Sequence, residues 1–260
     1  MKQYVCCFVM AMIFLLDSQY SRAEQSSMPN LSIMVKAKAK PKDGKNIIIS
    51  MSINDYLMKN KMPQWDIFDS RDGAAAVDEE SGADVIVEFG AETKDAENVV
   101  VLTVSARDTL RDKQLFAKSA FSSPRNLKQP GAWSAAASEA VTKVMPEVIT
   151  GLKKHYWSLA RNGTWSRVTL EDAPKDLERN VEEKLKKDCY QTERCQGKPG
   201  FLVQCKLDNL ELFERIDNVI KAASPGASYD VRARTNKNIK LEFRSVKKKD
   251  RKKKSRKRKR

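Results

Sequence analysis

A chain of 260 residues with 41% hydrophobic side chains is long enough for one large or two small domains and too apolar to be disordered throughout. Its net charge of +15 points to a polyanion, yet residues 247–260 hold twelve Lys or Arg against one Asp and account for +11 of it. Residues 1–23 carry +1, so the body between them is nearly neutral at +3, and the basicity is a tail.

The chain opens with Lys2, an uninterrupted apolar run from Val5 to Leu16, and Ser21-Arg22-Ala23, with small residues at the two positions that a signal peptidase reads. Residues 1–23 are therefore expected to be a signal peptide. The run is twelve residues, whereas a spanning helix needs about 20. Cys6 and Cys7 lie at the wrong end of it for a lipoprotein cleavage box. Export places the mature chain in an oxidising, ATP-poor compartment. In keeping with that, neither GxGxxG nor GxxxxGK[ST] occurs, which disfavours nucleotide enzymes.

In chain order, Asn30 to Val35 reads as a first strand and Ile47-Ile48-Ile49 as a short buried element. Ile53 to Lys61 reads as a helix and Trp65 to Phe68 as an edge strand. The β-branched runs Val85–Phe89 and Val99–Val104, followed by Leu115–Phe121, predict an antiparallel meander whose last turn, from Arg107 to Lys113, is a surface hairpin loop. Trp133 to Ala160 has helical spacing, and Pro146 inside it predicts a kink or two abutting helices. Asn162-Gly163 supplies the stop.

From Thr164 the pattern becomes strand, helix, strand, helix, strand, strand. The strands are Trp165–Leu170, Phe201–Lys206, Tyr229–Ala233 and Ile239–Phe243. One helical stripe is Leu177, Val181 and Leu185; the other runs from Leu212 to Ile220 and ends at Pro225-Gly226. The predicted class is α+β (α/β): two small mixed-sheet units, residues 24–163 and 164–246, with helices on one side of each, joined by a long kinked helix. Three cysteines remain after cleavage, and Cys189 and Cys195, flanking a short loop, are the favoured disulfide, with Cys205 left over. A metal site is disfavoured because His155 is the only histidine.

The run Gly82-Ala83-Asp84-Val85-Ile86-Val87, a meander carrying Ala106-Arg107-Asp108 and Ser119-Ala120-Phe121-Ser122-Ser123, a long helix and a second α+β unit together resemble exported bacterial envelope proteins. The pattern is similar to the TolB amino-terminal-domain and flagellar or lipoprotein cofactor type of fold, and to uncharacterised exported families of Bacteroides-like bacteria. The resemblance spans residues 30–244 and implies a non-catalytic role in envelope assembly or binding, without assigning any residue.

Candidate chemistry is sparse. Asp84 and Glu88 share a strand face, and Asp108 and Asp112 would share one if their segment were helical; such pairs serve acid–base chemistry or calcium. A solvated strand edge and turn is the plainer reading of all four. Trp65, Trp133, Trp157 and Trp165, with the lysines from Lys36 to Lys45, raise a nucleic-acid groove, but helix and strand positions favour core packing for the tryptophans.

The segment with the clearest functional reading is the tail: Lys247, Lys248, Lys249, Arg251, Lys252, Lys253, Lys254, Arg256, Lys257, Arg258, Lys259 and Arg260. Like charges at that density repel, so an extended polyanion-binding tail is expected. The expected function is a non-enzymatic exported binding or assembly protein, without cofactor, held to an anionic envelope component such as lipid phosphate, lipopolysaccharide or an acidic protein. A nucleic-acid- or ribosome-associated protein is the alternative if the signal peptide is misread, and a hydrolase using Asp84, Glu88 and Asp108 is a third reading.

Overall fold

The computed structural model describes residues 28–38, 45–69, 83–195, 199–235 and 237–244; the expected signal peptide and basic tail lie outside them. The chain divides into two units, residues 1–161 and 162–260.

The first unit contains β1 (Leu31–Ala37), α1 (Lys45–Asn60), β2 (Trp65–Asp69), β3 (Val85–Lys94), β4 (Val99–Asp108), β5 (Lys113–Phe121) and α2 (Ala132–Asn162). Its sheet has the order β2-β1-β3-β4-β5, with β1 parallel to both β2 and β3, and β3, β4 and β5 forming the expected meander. The parallel β1–β2 pair needs a crossover, which α1 supplies.

Ile47-Ile48-Ile49 is not a separate buried element but the first turns of α1. Three β-branched residues read locally as strand, yet Ile49, Ile53 and Leu57 recur every four residues and are the buried stripe, while Ile47 and Ile48 face solvent. The turn after β4 also differs from expectation: the strand runs to Asp108, which is only 5% exposed, and Asp112 lies in the turn rather than on a helix.

α2 is one continuous 31-residue helix with Pro146 inside it, not two abutting pieces. Val144, Met145, Val148, Ile149 and Leu152 are buried on both sides of the proline, and burying that stripe offsets the hydrogen bond the ring removes. Gly151 lets the helix come close to β5, because a Cβ there would fall 2.5 Å from the Phe116 ring. Upstream, Glu139 of α2 accepts from the Ser123 amide (2.9 Å) and hydroxyl (2.6 Å), and pairs with Lys143 (2.7 Å) and Arg125. Hydrogen bonds from Lys143 and Ser123 hold its carboxyl down to about 2 and tie the segment after β5 to the helix.

The second unit contains β6 (Thr164–Glu171), α3 (Lys175–Asp188), β7 (Gln191–Arg194), β8 (Phe201–Cys205), α4 (Asn209–Ala223), β9 (Tyr229–Thr235) and β10 (Asn238–Phe243). The sheet order is β7-β8-β6-β10-β9, in which only β6 and β10 are parallel. Leu177, Val181 and Leu185 of α3 and Leu212, Ile216 and Ile220 of α4 pack with Val168, Leu170, Val203, Ile239 and Leu241 of the sheet in one core. A capping box starts α4: Asp208 Oδ1 accepts from the Leu210 and Glu211 amides at 2.8 Å, and the Glu211 carboxylate accepts from the Asp208 amide. The class is α+β with two mixed sheets.

Gly163, between α2 and β6, has φ +93°, and a Cβ there would fall 1.9 Å from the Cys205 carbonyl oxygen. That oxygen belongs to the strand with which β6 pairs, so it cannot move aside without breaking the Thr164–Cys205 register. Gly163→Ala is expected to destabilise the second unit by about 1–3 kcal/mol in a urea melt; an unchanged midpoint would contradict the contact.

Candidate functional site

Most polar chemistry that the sequence singled out in the first unit gathers at one end of β4 and the C-terminal half of α2. β3 and β4 pair Val85 with Asp108, which brings Asp84 beside the turn that follows β4. The Asp84 carboxylate accepts from the Ser32 amide at 2.8 Å, and its carbonyl accepts from the Thr109 amide at 3.1 Å. Asp108 accepts from Arg111 twice, from the amide at 3.0 Å and from Nε at 2.9 Å, in an ion pair that is largely buried on both sides. A partly buried pair of this kind is held by its hydrogen bonds as much as by charge.

His155 of α2 senses all three charges. Burial pulls its imidazole below the ordinary value of 6.5; Asp108 and Asp84 oppose that pull, and Arg111 reinforces it. Beside it a groove of about 610 Å³ runs between β5 and α2, lined by Leu115, Phe116, Lys118, Pro146, Glu147, Thr150, Gly151, Lys154, His155 and Ser158. Lys118 and Glu147 pair across it at 2.7 Å, and the Thr150 hydroxyl donates to the Pro146 carbonyl at 2.8 Å.

Asp84 and Asp108 thus lie within electrostatic range of His155, a relation that sequence spacing did not show, since the three lie far apart in the chain. The structure does not bring Glu88 or Asp112 into this group: Glu88 is half-buried along β3, and Asp112 pairs with Arg107 in the turn. Both Asp108 oxygens are engaged by Arg111, which gives this carboxylate a structural task in closing the β4–β5 turn. Among the described residues no cluster of three or more His, Cys, Asp or Glu could hold a metal ion.

The tryptophans divide. Trp65 is fully buried with its ring 6.3 Å from Tyr156, and Trp165 is buried as well. Trp133 and Trp157 depart from the expected core packing: Trp133 is half-buried, donates to the Thr93 hydroxyl at 3.2 Å and lies under Lys45, while Trp157 is 47% exposed. Trp157 faces outward because the buried stripe of α2 passes through Tyr156 and Leu159 instead, whereas Trp133 sits at the first turn of the helix, only partly covered.

No family model matches the chain, and no curated protein matches it. Among solved structures it is similar to the PelC dodecamer from Paraburkholderia phytofirmans, at 11% identity and a TM-score of 0.31 over 48% of this chain and 88% of that one. It is also similar to protein XCC0632 from Xanthomonas campestris, of family-model DUF330, at 10% identity and a TM-score of 0.32 over 50% of this chain and 89% of that one. A lipoprotein candidate from Caulobacter crescentus is similar at 13% identity and a TM-score of 0.24, over 49% and 88%. Likenesses this distant assign no function, and the expected kinship with the TolB amino-terminal domain rests on the sequence pattern alone.

In the second unit the disulfide joins Cys189 to Cys205, with the Cα atoms 4.6 Å apart, and not Cys189 to Cys195 as expected. The presumed loop between Cys189 and Cys195 is the edge strand β7, whose polar sequence Gln191-Thr192-Glu193-Arg194 hid it. An extended segment of that length separates its ends by about 20 Å, far beyond the reach of a bridge. Pairing of β7 with β8 sets the Cys195 amide on the Gly200 carbonyl at one end of the hairpin, and the Tyr190 amide on the Gln204 carbonyl at the other, next to Cys205. Glu182 of α3 pairs with Arg194, and the Arg194 guanidinium lies over the Phe201 ring, which holds this edge in place.

Mass spectrometry of unreduced peptides is expected to recover Cys189 linked to Cys205, and reduction should destabilise the second unit by about 2–4 kcal/mol. A Cys189–Cys195 peptide would refute the hairpin register. For His155, the folded-state proton affinity is lowered, so its contribution favours folding above pH 6.5 and is lost as pH falls through the folded-state value. The imidazole resonance in an NMR titration should show a midpoint below 6.5; a midpoint at or above it would mean that burial does not outweigh the Asp108 and Asp84 charges.

Proposed function

We propose that this chain is an exported, non-enzymatic binding protein, periplasmic or peripheral to the envelope membrane, tethered to an anionic envelope component by Lys247–Arg260. The observation that carries the compartment is the Cys189–Cys205 bridge: structural disulfides persist in oxidising compartments and are rare where thiols are kept reduced. It agrees with the signal-peptide pattern of residues 1–23.

The tether follows from charge. Near an anionic membrane surface each basic residue contributes on the order of 1 kcal/mol, falling off within a Debye length of about 8–10 Å. Twelve such residues in fourteen exceed what attachment needs even when heavily discounted for non-additivity. The nearly neutral body leaves the folded units available for other contacts. The engagement of both Asp108 oxygens by Arg111 supports the non-enzymatic reading.

Cell fractionation at low and high salt, with amino-terminal sequencing of the mature chain, tests both parts. The expected result is a terminus at Glu24 and envelope association released by salt, and lost on deletion of residues 247–260. An intact Met1 with nucleic-acid-bound protein would overturn the compartment, and unchanged association after the deletion would overturn the tether.

A further inference from the structure

β5 is an outer strand of its sheet: it pairs with β4 along one side, and among the described residues no strand pairs with the other. It is nine residues long, and most of it is exposed or half-buried. The groove described above lies where α2 crosses the face of β5 that carries Phe116 and Lys118. An open strand edge beside a groove of this kind accepts a peptide by strand addition: main-chain hydrogen bonds hold it, and alternate side chains turn toward the groove.

The chemistry of the occupant follows from the rim. Leu115, Phe116 and Pro146 give the groove an apolar floor. Lys118 is already paired with Glu147, whereas Lys154 makes no ion pair among the described residues. The Lys154 charge, on the α2 wall of the groove, favours an acidic incomer.

We propose that an extended acidic segment of a partner protein adds to β5 as a sixth strand, with alternate apolar side chains in the groove and a carboxylate on Lys154. This proposal uses no residue of the basic tail and holds whether or not the tail tethers the chain.

The test uses the full chain and a labelled eight-residue peptide alternating Val and Asp, followed by fluorescence anisotropy at about 0.15 M salt. Hydrogen exchange of the β5 amides is measured in parallel. Saturable binding that slows exchange in β5 is expected, with a peptide alternating Val and Lys failing to bind. Lys154→Glu should weaken the acidic peptide about five-fold or more, while Lys153→Glu, its exposed neighbour outside the groove lining, should not. Absence of saturable binding would overturn the proposal. So would binding that leaves β5 exchange and the Lys154→Glu affinity unchanged, because the peptide would then be on the basic tail, a result that leaves the tether reading standing.

Discussion

The first unit depends on how closely α2 can lie against its sheet. At Gly151 the helix backbone meets the Phe116 ring with no room for a side chain. That contact fixes the height of a 31-residue helix over β5 and brings His155 near the Asp108–Arg111 pair. It also leaves the strip between helix and strand edge that becomes the groove. A larger residue at position 151 would have to push the half-buried Phe116 ring aside or lift the helix. Close packing transmits such a displacement rather than absorbing it.

Several charged groups among the described residues join segments that are distant in the chain. Glu139 collects Ser123, Arg125 and Lys143, and so binds the stretch after β5 to the start of α2. Asp108 and Arg111 close the β4–β5 turn, and Glu182 and Arg194 fasten an edge strand to α3. Tyr229 donates to Asp217, which also pairs with Lys221 at 2.6 Å, linking β9 to α4. Burial first, and then that hydrogen bond, push the Tyr229 hydroxyl well above its ordinary range. Each arrangement uses a carboxylate to hold two segments together.

The disulfide works on the same scale. By joining the end of α3 to the end of β8 it closes a loop that contains all of β7, a strand with almost no apolar side chain of its own to bury. A polar edge strand gains little from hydrophobic burial, so covalent closure and the Arg194 contacts compensate.

By itself the sequence determined the elements with strong periodicity. The β-branched runs of β3 and β4, the apolar stripes of α2, α3 and α4, and the glycine stop after Asn162 were legible, because alternation and three-to-four spacing are local properties. So was the concentration of charge in residues 247–260. Tertiary structure decided what depends on partners distant in the chain. Ile47 to Ile49 joined a helix because a stripe spaced every four residues outweighed local β preference, and Pro146 was carried through α2 because the sheet held both halves. β7 escaped notice because its pattern is polar, and only its pairing with β8 revealed that Cys189 faces Cys205. The electrostatic reach of Asp84 and Asp108 to His155 was equally hidden: Asp84 precedes β3, Asp108 ends β4 and His155 lies on α2, and strand register and helix placement, which no local pattern encodes, set it.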